Sequence, residues 1–250
     1  MKRDQIYAIF QRRGFVVVKQ LFSQEWVDRI LLDINMVDDC DTYYDNANLV
    51  RRKERLYNKG NNLLSLNQKL LSLLSENFSD QFTLFKDKYN SKPPGGEGFF
   101  AHYDGIFTWQ DNNGKVRQGW YEYAPEFVNA LVALDPSNMK NGTIEIADRH
   151  NLDFQSCLKN TRKNGTPQLS HEVEEATEFE VINLDAGDVV LFSHQCPHRS
   201  AINNSERARR IIYYTYHSSR YGDNYSQYFL DKKTSNKDSN VNKALSADAE

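Results

Sequence analysis

The spacing of apolar residues changes near residue 82, and this change constrains the fold more than any other feature of the chain. Before it, apolar residues recur at helical spacing; after it, they form stretches of four to eight residues between turn residues. Turn signals include Pro93-Pro94-Gly95-Gly96 and Asp185-Ala186-Gly187-Asp188. Such spacing predicts a β-sandwich or barrel, with strands at Phe82–Phe85, Gly98–Ala101, Phe127–Leu134, Gly142–Ile146, Phe179–Leu184, Val189–Phe192 and Ile211–Tyr216.

The residues before this point predict helices around one short strand. Gln5–Arg12 is amphipathic, Phe15–Val18 is a β-branched run, and Ser23 is placed to cap a second helix. Residues 61–76 form a leucine-rich third helix. The fold class expected is therefore mainly β, with the N-terminal helices packed outside the β core.

The length of 250 residues allows one large domain or two small ones. We expect a single domain over residues 1–232, in which residues 1–80 are mostly helical and residues 82–217 form the core. Residues 233–250 are polar and weakly apolar, and we expect them to be disordered.

Residues 37–60 carry no clear helical or strand period. They are polar and include a basic cluster of Arg51, Arg52, Lys53 and Arg55. A segment of this length without secondary structure is usually functional or disordered. We therefore expect residues 40–58 to order over a pocket when substrate binds.

Composition excludes several classes of protein. Charged residues make up 26% and hydrophobic residues 39% of the chain, as in ordinary globular proteins. A net charge of −3 argues against a general nucleic-acid binder, and no apolar run reaches the ~18 residues needed to cross a bilayer. Three scattered cysteines and the lack of an apolar signal segment favour a cytoplasmic protein with a small-molecule substrate. The oligomeric state is not predicted.

Two short segments carry chemistry. His102 and Asp104 follow an apolar strand, and alternation puts residues i and i+2 on one face, so both side chains can bind one metal ion. A second strand is followed by His194 and His198. Two histidines and one carboxylate occupy one face of Fe(II) and leave positions for a keto acid and O₂. The far carboxylate of a keto acid then needs a fixed cation, and arginine provides a two-pronged contact.

These residues resemble a known family. The pattern His198-x-Ser200-x-x-Asn203-x-Ser205-x-x-x-Arg209 is similar to that of phytanoyl-CoA dioxygenase-type Fe(II)/2-oxoglutarate oxygenases. The register fits His198 and not His194. The family has a double-stranded β-helix core, the jelly roll of cupins, which the resemblance implies here.

The resemblance also implies roles for individual residues. His102, Asp104 and His198 would bind Fe(II), and Arg209 and Ser200 would bind 2-oxoglutarate. Asn90 and Lys92 match an Asn-x-Lys pair that related hydroxylases use on the same co-substrate. Related halogenases have Gly or Ala in place of the carboxylate, so Asp104 favours hydroxylation; desaturation and ring closure remain open.

The substrate is less constrained than the chemistry. Lys86-Asp87-Lys88, Arg51-Arg52-Lys53-Glu54-Arg55 and the segment from Tyr228 to Lys233 resemble the phosphonate-degrading branch, which includes 2-aminoethylphosphonate dioxygenase. The segment Gly105-Ile106-Phe107-Thr108-Trp109 departs from that branch. The expected reaction is hydroxylation of an unactivated C–H bond of a small polar metabolite, with an aminophosphonate as first candidate. We expect the substrate to contact Trp109, Thr108, Tyr103 and Arg55.

Two alternatives stay open. The same oxygenase chemistry could act on a natural-product or amino-acid-derived intermediate. A non-catalytic, cupin-like metal-binding protein would keep the three metal ligands, but it would not need Arg209, Asn90 and Lys92.

Overall fold

The computed structural model describes residues 3–45, 48–111, 113–162 and 166–234. Six α-helices lie in this part of the chain: α1 (Arg3–Arg13), α2 (Gln24–Met36), α3 (Asn61–Phe78), α4 (Phe154–Lys159), α5 (His171–Ala176) and α6 (Tyr225–Thr234). Three short 3₁₀ helices span Gly119–Glu122, Met139–Asn141 and Ser219–Tyr221. No helix among the described residues is both long and apolar enough to cross a membrane.

Thirteen strands in the same described ranges form two large sheets and a small hairpin. In chain order they are β1 (Phe15–Val18), β2 (Asp41–Tyr44), β3 (Val50–Glu54), β4 (Phe82–Lys92), β5 (Phe99–His102), β6 (Trp109–Gln110), β7 (Val116–Arg117), β8 (Val128–Ala133), β9 (Ile144–Ile146), β10 (Glu180–Val181), β11 (Val189–Ser193), β12 (His198–Ser200) and β13 (Arg209–Ser218).

The larger sheet has seven strands in the order β1-β11-β8-β13-β4-β3-β2, and the smaller has four in the order β10-β9-β12-β5. All neighbouring strands are antiparallel, and β6 pairs with β7 alone. Two antiparallel sheets joined in this way form the predicted jelly roll.

Alternation along β13 separates the two faces of the larger sheet. Ile212, Tyr214 and Tyr216 are buried on the outer face in one core cluster with the helices. Ile211 lies on the inner face in a second cluster with residues of the smaller sheet. Since residues i and i+2 share a face, Arg209 lies on the inner side with Ile211, as the sequence predicts.

Helix α3 is the main cover of the outer face. Its buried side chains recur at helical spacing and include Leu63, Leu66, Leu70 and Leu74. Full burial of a leucine side chain stabilises a fold by roughly 1.5–3 kcal/mol. The hydroxyls of Tyr214 and Tyr216 reach α3 as well, through Leu63 O and Asn67 Oδ1. The polar ends of these buried rings are therefore satisfied.

Residues 37–60 differ from the expectation of an irregular segment. Strands β2 and β3 form a hairpin, and β3 pairs with β4 through Arg52–Asn90 and Glu54–Lys88. The polar sequence hides these strands because they lie at the edge of the sheet, where one face carries charged residues. The described part of the segment is thus a strand pair that adds Arg52 and Glu54 to the cavity lining, and its response to substrate stays a prediction.

The C-terminal region also differs at its boundary. Helix α6 continues to Thr234, so Lys233 and Thr234 belong to it rather than to a disordered tail. Its side chains contact the core through Phe229, which is buried. The disorder expected for the remainder, residues 235–250, lies outside the described residues.

Candidate active site

Strand pairing in the smaller sheet brings the two halves of the motif together. Strand β12 pairs with β5, and His198 lies directly opposite His102. Asp104 follows β5 by two residues, and its backbone N–H donates to His194 O at 3.1 Å. Ligand atoms of His102, Asp104 and His198 all lie within 4.8 Å of one another. Residues 94 positions apart in the chain thereby form one compact group.

The ring of each histidine in this triad is held by a hydrogen bond between its Nδ1 atom and a backbone carbonyl. The Nδ1 atom of His102 lies 2.8 Å from Phe100 O, and that of His198 lies 3.0 Å from Cys196 O. A carbonyl can only accept, so each Nδ1 carries the proton and each Nε2 is free for a metal. Hydrogen bonding to a carbonyl fixes both the tautomer and the ring orientation.

The Asp104 carboxylate is oriented from the larger sheet. Asn129 on β8 donates from Nδ2 to Asp104 Oδ2 at 2.9 Å, and its own Oδ1 accepts from the Thr215 hydroxyl at 2.7 Å. Both Asn129 and Thr215 are buried. This chain of two hydrogen bonds fixes the carboxylate across the interior.

Electrostatics keep the triad in the protonation state that binds metals. Burial, followed by the neighbouring His198, lowers the pKa of His102 to about 3. Burial alone would raise the pKa of Asp104, but the imidazole of His198 and the ammonium of Lys86 lower it to about 2. At neutral pH the site thus presents neutral imidazoles and an ionised carboxylate.

His194 is not part of this group. Its Nδ1 accepts from Phe127 N–H at 3.2 Å, and its Nε2 lies 3.1 Å from the Tyr121 hydroxyl. Both ring nitrogens are therefore occupied by the protein. The structure brings His198 to His102 and Asp104, in agreement with the register of the sequence motif.

A buried cationic cluster lies where β4 ends and β13 begins, and it reaches Ser200, two residues after His198 on β12. Arg209 is only 3% exposed; its Nη2 donates to Gly142 O at 2.9 Å, and its Nε has no hydrogen-bond partner among the described residues. Lys92 lies opposite Arg209 in the strand register, and its ammonium donates to Ser200 Oγ at 2.8 Å. Burial, and then the charge of Arg209, lowers the pKa of Lys92 to about 6.

The remaining motif residues shape the approach to Arg209. Asn203 donates from Nδ2 to Lys92 O and Arg207 O, and its Oδ1 accepts from the Ser205 hydroxyl. These bonds tie the loop after β12 to the end of β4. Asn90 is buried on the inner face between Lys88 and Lys92.

A cavity opens from the triad toward α6 and the β2–β3 hairpin. His102 and Asp104 form its floor, and aromatic rings form much of its wall, among them Phe99, Phe107, Trp120, Tyr123 and Tyr228. Four cationic side chains also line it: Arg52, Lys86, Lys88 and Lys232. The cavity is therefore an aromatic pocket with a positively charged side.

The four residues expected to contact substrate divide into two pairs. Tyr103 and Trp109 line the cavity, whereas Thr108 and Arg55 do not. Arg55 binds Asp41 instead, through Nε at 2.7 Å and Nη2 at 2.9 Å. Arg55 follows β3 at a positive φ of 63°, and its side chain turns to the carboxylate of Asp41 at the start of β2.

Other cavity residues received no role from the sequence. The inner face of β4 presents Lys86 and Lys88, and α6 presents Tyr228, Asp231 and Lys232. The first pair had a readable signal, because two lysines at positions i and i+2 of a strand must share a face. The α6 residues had none, because nothing in their spacing indicates that the helix folds back onto the pocket.

The family model for phytanoyl-CoA dioxygenase (PhyH) matches residues 10–211. The chain belongs to the phytanoyl-CoA dioxygenase family. The match includes the triad and Arg209, so the family prediction made from the motif is confirmed.

Two curated relatives of similar sequence have names that refer to phosphonates. The 2-aminoethylphosphonate dioxygenase of an uncultured bacterium is 30% identical over 71% of this chain and 62% of its own length. The methylphosphonate hydroxylase of Gimesia maris is 29% identical over 61% of this chain and 52% of its own length. The chain thus spans between half and two thirds of these relatives.

Solved structures support the fold. The epimerase SnoN, in complex with Fe³⁺, alpha ketoglutarate and nogalamycin RO, matches 87% of this phytanoyl-CoA dioxygenase family chain and 84% of its own, with a TM-score of 0.67 and 15% identity. EctD from S. alaskensis, with 2-oxoglutarate and 5-hydroxyectoine, matches 86% and 76% with a TM-score of 0.64 and 18% identity. The predicted jelly-roll fold is confirmed.

Proposed function

We propose that the protein is an Fe(II)- and 2-oxoglutarate-dependent dioxygenase that hydroxylates a C–H bond of a small polar metabolite, with an aminophosphonate as the first candidate. One observation carries this proposal: a triad of two histidines and one carboxylate lies beside a buried arginine that no carboxylate of the described residues pairs. His102, Asp104 and His198 are the proposed iron ligands. Arg209 is the proposed partner of the co-substrate.

The residues present fit an iron(II) ion. Two imidazole nitrogens and one carboxylate oxygen form a facial ligand set that leaves three positions for other ligands. Both histidines have their Nδ1 occupied by carbonyls, so both present Nε2 to the ion. Asn129 holds the carboxylate, which reduces the entropy lost when the ion binds.

The residues beside the triad fit 2-oxoglutarate. A buried guanidinium is costly without an anion, and Arg209 has only one carbonyl contact and an unsatisfied Nε. The distal carboxylate of a keto acid would supply the missing acceptors. Lys92 donates to Gly142 O at 3.2 Å, Ser200 Oγ at 2.8 Å and Ala201 O at 2.5 Å, and in the proposal it exchanges one of these contacts for the same carboxylate, beside Ser200. Asn90 would complete the pocket from β4.

When iron, 2-oxoglutarate and O₂ are bound, they supply the oxidising power for C–H cleavage. The protein chain would position the substrate and exclude water from the cavity. Aromatic side chains such as Trp120 and Tyr228 exclude water from the cavity, which protects a reactive centre from side reactions. Tyr103 and Trp109 are the proposed substrate contacts, since both line the cavity. The carboxylate of Asp104, where related halogenases have Gly or Ala, favours hydroxylation over halogenation.

The choice of substrate rests on the named relatives and on the cavity. Phosphonate substrates appear in the names of two relatives, and the cavity has a cationic side that suits an anionic metabolite. A natural-product or amino-acid-derived substrate is the other candidate. It would use the aromatic part of the same wall.

The test is succinate formation by protein reconstituted with Fe(II). We expect 2-oxoglutarate turnover that requires iron and rises with 2-aminoethylphosphonate or methylphosphonate in a metabolite panel. Asp104→Ala should abolish it, whereas Asp148→Ala, a surface carboxylate paired with Arg13, should not. Stimulation by an amino-acid derivative alone would move the substrate to the second candidate. Iron binding without any 2-oxoglutarate binding or turnover would identify a cupin-like metal-binding protein instead.

A further inference from the structure

Two lysines on the inner face of β4 stand apart from the other charges of the cavity. Lys86 and Lys88 both line it, and neither ammonium makes a hydrogen bond or an ion pair with any described residue. Aromatic rings lie close to both: Lys86 Nζ lies 4.2 Å from the centre of the Trp120 ring, and Lys88 Nζ lies 4.7 Å from that of Tyr213. Ring faces stabilise a cation only in part.

The other two cations of the cavity share the carboxylate of Glu54, and Asp231 on α6 supplies a second negative charge to the same lining. Lys232 donates to Glu54 Oε2 at 2.5 Å, and Arg52 lies 3.4 Å from Glu54 Oε1. Asp231 is committed as well, because it accepts from the Tyr123 hydroxyl at 2.7 Å. The excess positive charge of the cavity is thus concentrated on β4.

The surroundings make this pair of cations costly. Burial, together with the charge of Lys88, lowers the pKa of Lys86 to about 7, and burial also lowers the pKa of Lys88. The negative charge of Asp104 partly offsets this lowering of the pKa for both lysines. In the proposed enzyme, however, the carboxylate of Asp104 binds the metal ion, so its negative charge no longer balances the lysines. The two positive charges of iron and that of Arg209 balance Asp104 and the two carboxylates of 2-oxoglutarate, and the lysines remain unmatched.

We propose that Lys86 and Lys88 together bind a doubly charged, tetrahedral oxyanion headgroup of the substrate, of the phosphonate type. This inference rests on the proposed function, because it places the headgroup in the same cavity as the triad. Two ammonium groups two residues apart on one strand, with Cα atoms about 7 Å apart, can each contact a different oxygen of one tetrahedral group. A planar, singly charged carboxylate would leave one lysine unmatched.

The strand register also puts this headgroup beside the reacting centre. Lys86 lies opposite Thr215 on β13, and Thr215 lies opposite Asn129 on β8, which holds Asp104. Neighbouring strands are about 4.8 Å apart, so Lys86 and Asn129 are separated by about 10 Å. A lysine side chain spans much of that distance. The headgroup therefore lies within a few bonds of the C–H bond that is attacked.

The test measures binding rather than turnover. Methylphosphonate and inorganic phosphate are titrated calorimetrically, without O₂, into protein loaded with Fe(II) and 2-oxoglutarate, at a pH above the second pKa of both probes so that each carries two negative charges. We expect Lys86→Gln and Lys88→Gln each to weaken methylphosphonate binding at least tenfold, and the double variant to abolish it. Affinity for 2-oxoglutarate should change less than twofold in each variant. Lys159→Gln on the surface of α4 is the matched control and should bind like the wild type.

Ligands of lower charge complete the design. Methanesulfonate is tetrahedral but singly charged, and acetate is planar and singly charged; both should bind at least tenfold more weakly than methylphosphonate. Equal affinity of the lysine variants and the wild type for methylphosphonate would overturn the inference, as would a wild type that binds neither doubly charged probe. Both results are distinct from failure of the proposed function, which would appear as iron-loaded wild type that does not bind or turn over 2-oxoglutarate.

Discussion

Removal of the Arg209 guanidinium tests the co-substrate pocket most directly. In Arg209→Ala the distal carboxylate of 2-oxoglutarate would lose its two-pronged partner inside a site where water does not replace it; the wild-type side chain is 3% exposed. Loss of such a charge-assisted contact costs ~2 kcal/mol or more. Since 1.4 kcal/mol corresponds to a factor of ten, the apparent KM for 2-oxoglutarate should rise by about 30-fold or more.

The assay is a 2-oxoglutarate titration of succinate formation on three variants, with calorimetric 2-oxoglutarate binding as a second readout. Arg207→Ala is the matched control, because Arg207 is exposed two residues away and should change the KM by less than about twofold. Arg209→Lys should rescue only in part, since an ammonium cannot make the two-pronged contact. An unchanged KM in a folded Arg209→Ala variant would refute the assignment of this pocket.

Three further predictions concern the metal site and the stability of the fold. His198→Ala should lose bound Fe(II), measured by metal analysis, whereas His194→Ala should retain iron and measurable activity. Asn129→Ala should weaken Fe(II) affinity by about tenfold, because the Asp104 carboxylate loses its hydrogen bond; unchanged affinity would contradict this. Burial raises the pKa of Asp87 from 3.8 to about 6, so the folded state favours the protonated carboxyl. The free energy of unfolding of the wild type, relative to that of Asp87→Asn, should therefore decrease as the pH rises from about 4 to 6. Urea unfolding at several pH values measures this difference, and a constant difference would refute the prediction.

The sequence was most informative where one local pattern decided the structure. The seven predicted strands all occur, because each alternates or runs apolar between turn residues, and β-branched Phe15–Val18 pairs with β11 as a strand should. Ser23 caps α2 through a side-chain contact to Trp26 N–H. The motif around His198 also identified the residue that lies opposite His102. Its spacing to Arg209 corresponds to the short strand β12 and the loop that leads to the start of β13.

Pairings between distant segments could not be read in the same way. Strand β3 is polar and basic, and it is a strand because β4 offers it a hydrogen-bonding edge, which no local pattern encodes. Arg55 looked available for a ligand because the position of Asp41 depends on that same hairpin. The role of α6 was hidden too, because Tyr228 and Lys232 reach the cavity only after the helix packs against β4.

The ion pair between Glu54 and Lys232 connects the β2–β3 hairpin to α6, the two elements that the sequence did not place, and neither element carries a residue of the triad. His102, His198 and Arg209 belong to strands of the jelly roll and Asp104 follows β5, while the hairpin and α6 supply Arg52, Glu54, Tyr228 and Lys232 to the wall of the cavity. Changes in these two segments would therefore alter part of the cavity wall without any change to His102, Asp104 and His198, the proposed iron ligands. The hairpin and α6 are thus natural targets, beside the lysines of β4, for changing the substrate preference of the proposed enzyme.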